Sequence, residues 1–187
     1  MDASSCPGGR QSDGSSTNNE SGTSHFRTLP MFVLPVERVL ELDEIPTHEE
    51  VCADLVEHVS GDVLFISHTW LRGNHPDTED GVKLKLLQAL LVRFVHGNSK
   101  IGIQWAAKMA YGLFNTELLV PRGQLRSCKY VWLDRWSIPQ ADDTAKLRGI
   151  ESIASYIQSC RWFFILCGAW RHENGSVRDV RAWGTRG

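Results

Sequence analysis

Three continuous apolar runs mark the strands of this chain. Val63-Leu64-Phe65-Ile66 stops abruptly at Ser67-His68-Thr69-Trp70, and Tyr130-Val131-Trp132-Leu133 stops at Asp134-Arg135-Trp136-Ser137-Ile138-Pro139-Gln140. A third run, Trp162-Phe163-Phe164-Ile165-Leu166-Cys167, is apolar throughout. Strands buried on both faces of a parallel sheet read as continuous runs. Between them lie patterns of helical spacing. Leu84, Leu87, Leu91, Phe94 and Val95 predict a helix over 81–96 that Gly97 closes. Leu147, Ile150, Ile153, Ala154 and Ile157 predict the buried face of another over 144–159. Asp142 and Asp143 favour its start, because negative charge suits the positive end of the helix dipole. Thr47 and Glu50 have capping-box spacing, and Val51, Leu55 and Val59 continue it as a helix ended by Gly61. A weaker helix over 100–114 carries Ile103, Ala106, Ala107, Ala110, Tyr111 and Phe114, with Gly102 and Gly112 working against it. Met31-Phe32-Val33-Leu34, between Pro30 and Pro35, reads as an edge strand or extended lead-in.

Strand, helix, strand, helix, strand at these lengths implies crossovers and a parallel sheet, the α/β class. Ligands of such sheets bind beyond the carboxyl ends of the strands, so Ser67, His68 and Asp134 stand where a site is expected. Three core strands are few against the usual ~4 to 6. Residues 1–25 are Ser, Gly, Asn and Asp with almost no large apolar side chain. They cannot bury enough surface to offset the entropy of ordering and are expected to form a disordered tail. The domain is then 26–187, with a helical insertion at 97–127.

Composition narrows the classes of function. With 42% hydrophobic and 22% charged residues in 187, the chain suits one globular domain. A net charge of -2 and no lysine-arginine block argue against nucleic acid as the main partner. No apolar stretch approaches the ~20 residues that span a bilayer. Five cysteines without close pairing fit reduced thiols better than a disulfide framework. Residues 1–24 lack the apolar core of a secretory signal, so the expected location is cytoplasmic.

Each candidate side chain has two readings. Ser67 suits a hydrogen bond to phosphate or ribose and His68 suits stacking or proton shuttling; both equally suit strand-end backbone groups. Asp134 suits a ribose hydroxyl, or a salt bridge or loop cap with Arg135. The loop from Trp136 to Gln140 suits a ligand lid or an oligomer contact, or else Trp136 and Ile138 fold back as core onto the helix expected over 144–159. His75-Pro76-Asp77 lies on the loop after the first strand, and Pro76 holds His75 extended. A metal set from His48, His68, His75 and Asp77 matches no ligand spacing. Cys167 beside His68 reads as a buried thiol rather than a nucleophile.

Taken together, these pieces resemble the Toll/interleukin-1 receptor (TIR) domains. Asp62 to His68 is similar to their first strand, closed by a serine. Trp132-Leu133-Asp134 with Trp136-Ser137-Ile138-Pro139 is similar to their second strand and its loop. Tyr156 to Arg161, running into Phe163-Phe164-Ile165-Leu166, looks like the approach to their third strand. The closer resemblance is to the divergent TIR-like type of unicellular algae, through Ser67-His68-Thr69-Trp70-Leu71, His75-Pro76-Asp77 and Ser137-Ile138-Pro139-Gln140. It covers about 32–187.

The resemblance implies a flavodoxin-like three-layer fold with a central parallel sheet, self-association, and in some members cleavage of NAD between nicotinamide and ribose. That chemistry relies on a glutamate in a Trp-Cys-x-x-Glu segment after the third strand. The chain ends at Arg186-Gly187, about where that segment is expected, so the fold is expected to be incomplete at its C-terminus. No residue matches the catalytic position; Glu173, between His172 and Asn174, has the wrong neighbours. The long 97–127 insertion departs from the family pattern. The nucleotide-binding candidates are Ser67, His68, Trp70, Asp134 and Trp136, with NAD as ligand or substrate and no cofactor required; no catalytic or metal-ligating residue is assigned. Two readings stand: a signalling or defence domain that binds NAD with incomplete glycohydrolase machinery, or a non-enzymatic module for homotypic interaction through loops 72–80 and 135–141.

Overall fold

The computed structural model of the protein describes residues 28–58, 61–96, 100–101, 118–119 and 127–184. The expected tail over 1–25 lies outside these residues, as does most of the helix expected over 100–114, whose first two residues, Lys100 and Ile101, form a strand instead. The strands are β1 (Met31–Pro35), β2 (Val56–His58), β3 (Gly61–His68), β4 (Lys100–Ile101), β5 (Leu118–Leu119), β6 (Tyr130–Trp132), β7 (Cys160–Leu166), β8 (Trp170–Arg171) and β9 (Val177–Arg178). The helices are α1 (Val36–Leu40), α2 (Val82–His96), α3 (Asp134–Ser137), α4 (Asp143–Glu151), α5 (Ile153–Ser159) and α6 (Val180–Gly184).

The central sheet has five strands in the order β2-β1-β6-β3-β7. β3 pairs in parallel with β6 and β7, whereas β1 pairs antiparallel with both β6 and β2. Only β1 therefore runs against the others. The pairs β4–β5 and β8–β9 are small antiparallel additions. This is the expected α/β class, with a mostly parallel sheet compatible with a flavodoxin-like arrangement.

Period-two alternation sends the apolar runs into two cores. Leu64 and Ile66 pack with Leu84, Leu87 and Leu91 of α2 and with Val131, Leu133 and Leu166. Val63 and Phe65 pack on the other side with Trp132, Ile138 and Tyr156. There the Phe65 and Trp132 rings stack with centroids 4.1 Å apart. Each fully buried side chain of this kind contributes about 1.5–3 kcal/mol. The runs of β3 and β6 thus report burial on both faces, whereas the equally apolar run of β7 leaves Phe163 and Ile165 exposed.

Tertiary packing overrides local pattern in three places. One half of the capping box forms, with the Thr47 amide donating to Glu50 Oε2 at 2.7 Å and the Thr47 hydroxyl donating to the same oxygen at 3.0 Å. No helix follows it, because residues 48–54 make turns and Val56–His58 instead pairs with β1. The run Met31 to Leu34, expected as an edge strand or an extended lead-in, forms β1 inside the sheet, between β2 and β6. Its prolines sit at its ends, where they remove no ladder bond, and Met31, Val33 and Leu34 serve both cores.

The third correction concerns the helix expected over 144–159. It is two helices, α4 and α5, broken at Ser152, and Asp142 caps the first by accepting from the Thr144 and Ala145 amides. Its buried positions are Gly149, Ser152 and Tyr156, whereas Leu147 and Ile150 are 58% and 50% exposed. Gly149 explains this orientation. A Cβ there would lie 2.7 Å from Ile138 Cγ2 and 3.3 Å from Leu29 Cδ2, so only glycine lets α4 approach on that side. The Ser152 hydroxyl takes the Leu29 amide (3.1 Å) and the Tyr156 hydroxyl donates to the Leu29 carbonyl (2.8 Å), holding the two helices to the chain before β1.

Candidate functional site

The carboxyl ends of β3 and β6 carry the polar residues that interrupt the apolar runs. His68 is the last residue of β3 and Asp134 begins α3 just after β6. Parallel pairing of Phe65 with Trp132 brings the two ends level. His68 Nε2 lies 2.9 Å from Asp134 Oδ1, and the Trp70 indole N–H donates to Oδ2, also at 2.9 Å. Arg135 does not pair with its neighbour. Its guanidinium donates to the Ile45 carbonyl (3.1 Å) and the Asn74 carbonyl (2.8 Å), and lies over the Trp70 ring at 5.9 Å.

Asp134 is ionised more readily than an ordinary carboxyl. Burial opposes its charge, but the His68 imidazole and the Trp70 and Arg135 N–H groups outweigh it and hold its pKa below the usual value. About a third of the side chain (32%) remains exposed, whereas the His68 side chain is 1% exposed. The carboxylate is therefore fixed from behind and open in front.

A buried lysine stands behind His68. Lys83, near the start of α2, is fully buried and donates to the carbonyls of Thr69 and Pro76 (2.7 Å for the latter). Its ammonium is 3.5 Å from His68 Nδ1 and 5.4 Å from the centre of the Trp170 ring. In the sequence, Lys83 and Lys85 look like solvated charges of a helix face, and only the i+4 relation of Lys83 to Leu87 places it on the buried stripe. That signal is weak, because a lysine is almost never fully buried.

Ser67 points to the opposite face from His68, as strand alternation requires. Its hydroxyl accepts from the Trp183 indole N–H of α6 at 2.9 Å. The segment after β7 thus folds back over the strand ends. Glu173 joins it to the loop after β3, its carboxylate accepting the Gly73 amide (2.8 Å) and its amide donating to the Leu71 carbonyl (2.9 Å). Ser67, His68, Trp70 and Asp134 are accordingly at one end of the sheet, on both of its faces.

Trp136 does not line the crevice. It is fully buried in the core that faces α2, its indole N–H donates to the Val131 carbonyl (3.3 Å), and its own carbonyl faces His48 Nδ1 (3.0 Å). Ile138 is 2% exposed and belongs to the other core. Both side chains fold inward, but only Ile138 packs on the helices over 143–159, whereas Trp136 joins the core on the α2 side. His75-Pro76-Asp77 likewise acts in the fold: the buried Asp77 carboxylate accepts the Lys83 and Leu84 amides at 2.9 Å and caps α2. Among the described residues no three His, Cys, Asp or Glu side chains come together in a way that could hold a metal. Cys128 and Cys160 have pKa values pushed up by burial to about 11 and about 12, so both are protonated thiols at neutral pH.

Comparison with protein-family models, with curated proteins and with solved structures finds no match for this chain. Among the described residues no helix is long and apolar enough to cross a membrane.

Proposed function

We propose that Trp70 and Asp134 at the strand ends, with His68 behind the carboxylate and Ser67 on the far face, form a nucleotide-binding site, with NAD as the ligand, on a TIR-like signalling or defence domain. The observation that carries this reading is Asp134, which is held through both oxygens yet open to solvent at the carboxyl ends of β3 and β6. A carboxylate fixed in this way keeps acceptor capacity for ribose hydroxyls. The Trp70 ring supplies a flat apolar surface beside it, and the Arg135 guanidinium places positive charge near any phosphate. The reading is one of binding rather than turnover. Glu173, among the described residues, is engaged by the Gly73 amide.

Calorimetric titration of the folded protein with NAD and ADP-ribose tests it. Both are expected to bind, and Asp134→Asn is expected to weaken binding about tenfold, since it replaces a charge-assisted acceptor by a neutral amide. Absence of binding by the folded wild type would overturn the site.

A second reading, the homotypic interaction module, is favoured by a different observation. Among the described residues β7 has a partner strand on one side only, and it exposes Phe163 and Ile165 at 41% and 40%. With Trp136 and Ile138 buried, the contact surface expected in their loop moves to this edge, since unpaired apolar strands promote association. Sedimentation is then expected to show concentration-dependent assembly that Phe163→Lys together with Ile165→Lys abolishes. A wild type that stays monomeric at all concentrations removes this reading.

A further inference from the structure

The geometry points to Lys83 as the positioning residue of this site, fixing the tautomer of His68 so that an imidazole N–H holds Asp134 from behind. Its place is unfavourable by every local rule. A lysine is rarely buried completely, and the second residue of a helix lies at the positive end of the helix dipole. The Asp77 carboxylate, on the Lys83 and Leu84 amides, offsets that end of the dipole. The Thr69 and Pro76 carbonyls and the Trp170 ring take up the ammonium itself.

The ammonium also faces His68 Nδ1 at 3.5 Å. An ammonium has three donors and no acceptor. With the lysine charged, Nδ1 presents its lone pair and the proton of the neutral imidazole sits on Nε2, 2.9 Å from Asp134 Oδ1. The result is a positive and a negative charge linked through a neutral ring: Lys83 donates to His68, and His68 donates to Asp134. The opposite tautomer would set a nitrogen lone pair against the carboxylate and an N–H against the ammonium. The lysine reaches the site only through histidine, as outer partners of a functional group commonly do.

This inference rests on the proposed site for its consequence but not for its test. Long-range proton-nitrogen correlation on protein carrying nitrogen-15 histidine reports which ring nitrogen bears the proton. The His68 signals are assigned by their loss in His68→Gln. At neutral pH the wild type is expected to show the Nε2–H form alone. In Lys83→Met, of similar length and without donors, His68 is expected to become a mixture of tautomers or an imidazolium.

Either Nδ1–H or a fully protonated ring in the wild type overturns the proposal, and so does an unchanged Nε2–H pattern in Lys83→Met. Because the wild-type pattern is decisive alone, poor folding of the variant leaves the test intact. No nucleotide is present in the measurement. Failure of NAD to bind therefore counts against the site reading, and the wrong tautomer counts against Lys83.

Discussion

Trp136→Ala is expected to lower unfolding stability by about 3–5 kcal/mol, the usual cost of removing a large aromatic side chain from a closed core. The side chain is fully buried among Leu34, Val36, Val39, Ile45 and Leu133, and its indole N–H is paired with the Val131 carbonyl. Truncation removes that packing and leaves the carbonyl without its side-chain partner. The same short helix holds Ser137, whose hydroxyl accepts the Leu133 amide at 3.2 Å, so loosening it disturbs the turn that presents Asp134. Against a typical domain stability of about 5–15 kcal/mol, the loss is large. Urea unfolding checks it: a midpoint far below the wild type is expected, whereas an exposed loop tryptophan would change stability by only about 0.5 kcal/mol.

Asp134→Ala is expected to cost about 2–3 kcal/mol at neutral pH. Removing one partner of a buried pair costs about 3–5 kcal/mol; the figure is reduced here because part of the carboxylate meets water. The His68 Nε2 and Trp70 Nε1 donors lose their acceptor in the variant. The sign of the pH dependence follows from the depressed pKa. Above the ordinary carboxyl value of 3.8 the stabilisation is complete, and it is lost as pH falls through the lower folded value, because there the unfolded chain binds more protons.

His48 and His75 act at higher pH. Burial, the largest influence on each, depresses both below the ordinary 6.5 by disfavouring the charged ring. Stability is thus expected to begin falling below pH 6.5 in both proteins, as the unfolded imidazoles take up protons first. The further loss near and below pH 4 is expected in the wild type and reduced in Asp134→Ala. Melting curves at pH 7, 5 and 3.5 separate the two phases, and a variant that tracks the wild type throughout would contradict the role given to Asp134.

The parts of the fold that were legible in the sequence are those in which one signal dominates. A run such as Val63 to Ile66 is buried on both faces, so its continuous apolarity survives whatever packs against it. The polar residues that end such runs converge for the same reason: parallel strands point their carboxyl ends the same way, which sets Ser67, His68 and Asp134 together. Helix α2 was equally legible, because Leu84, Leu87 and Leu91 recur at helical spacing and form the buried stripe, although Val82, Leu86 and Val92 leave apolar surface on the exposed side. Where two outcomes differ little in local energy, the sequence pointed the wrong way. Residues 48–59 satisfy a capping box and helical spacing, yet pairing Val56–His58 with β1 satisfies backbone groups in the sheet as well.

The sequence by itself determined the α/β class, the main strands and the end of the sheet where polar chemistry collects, because hydrophobic periodicity and strand direction are local properties of the chain. Only the tertiary structure decided which side chains face that end. It buried Trp136 and Ile138, turned Leu147 and Ile150 outward around Gly149, and placed Lys83 behind His68. Those outcomes depend on tertiary contacts, where the close approach of α4 at Gly149 or the partners of a buried ammonium fix the geometry. The first leaves no periodic trace in the sequence, and the second only the weak spacing of Lys83 to Leu87.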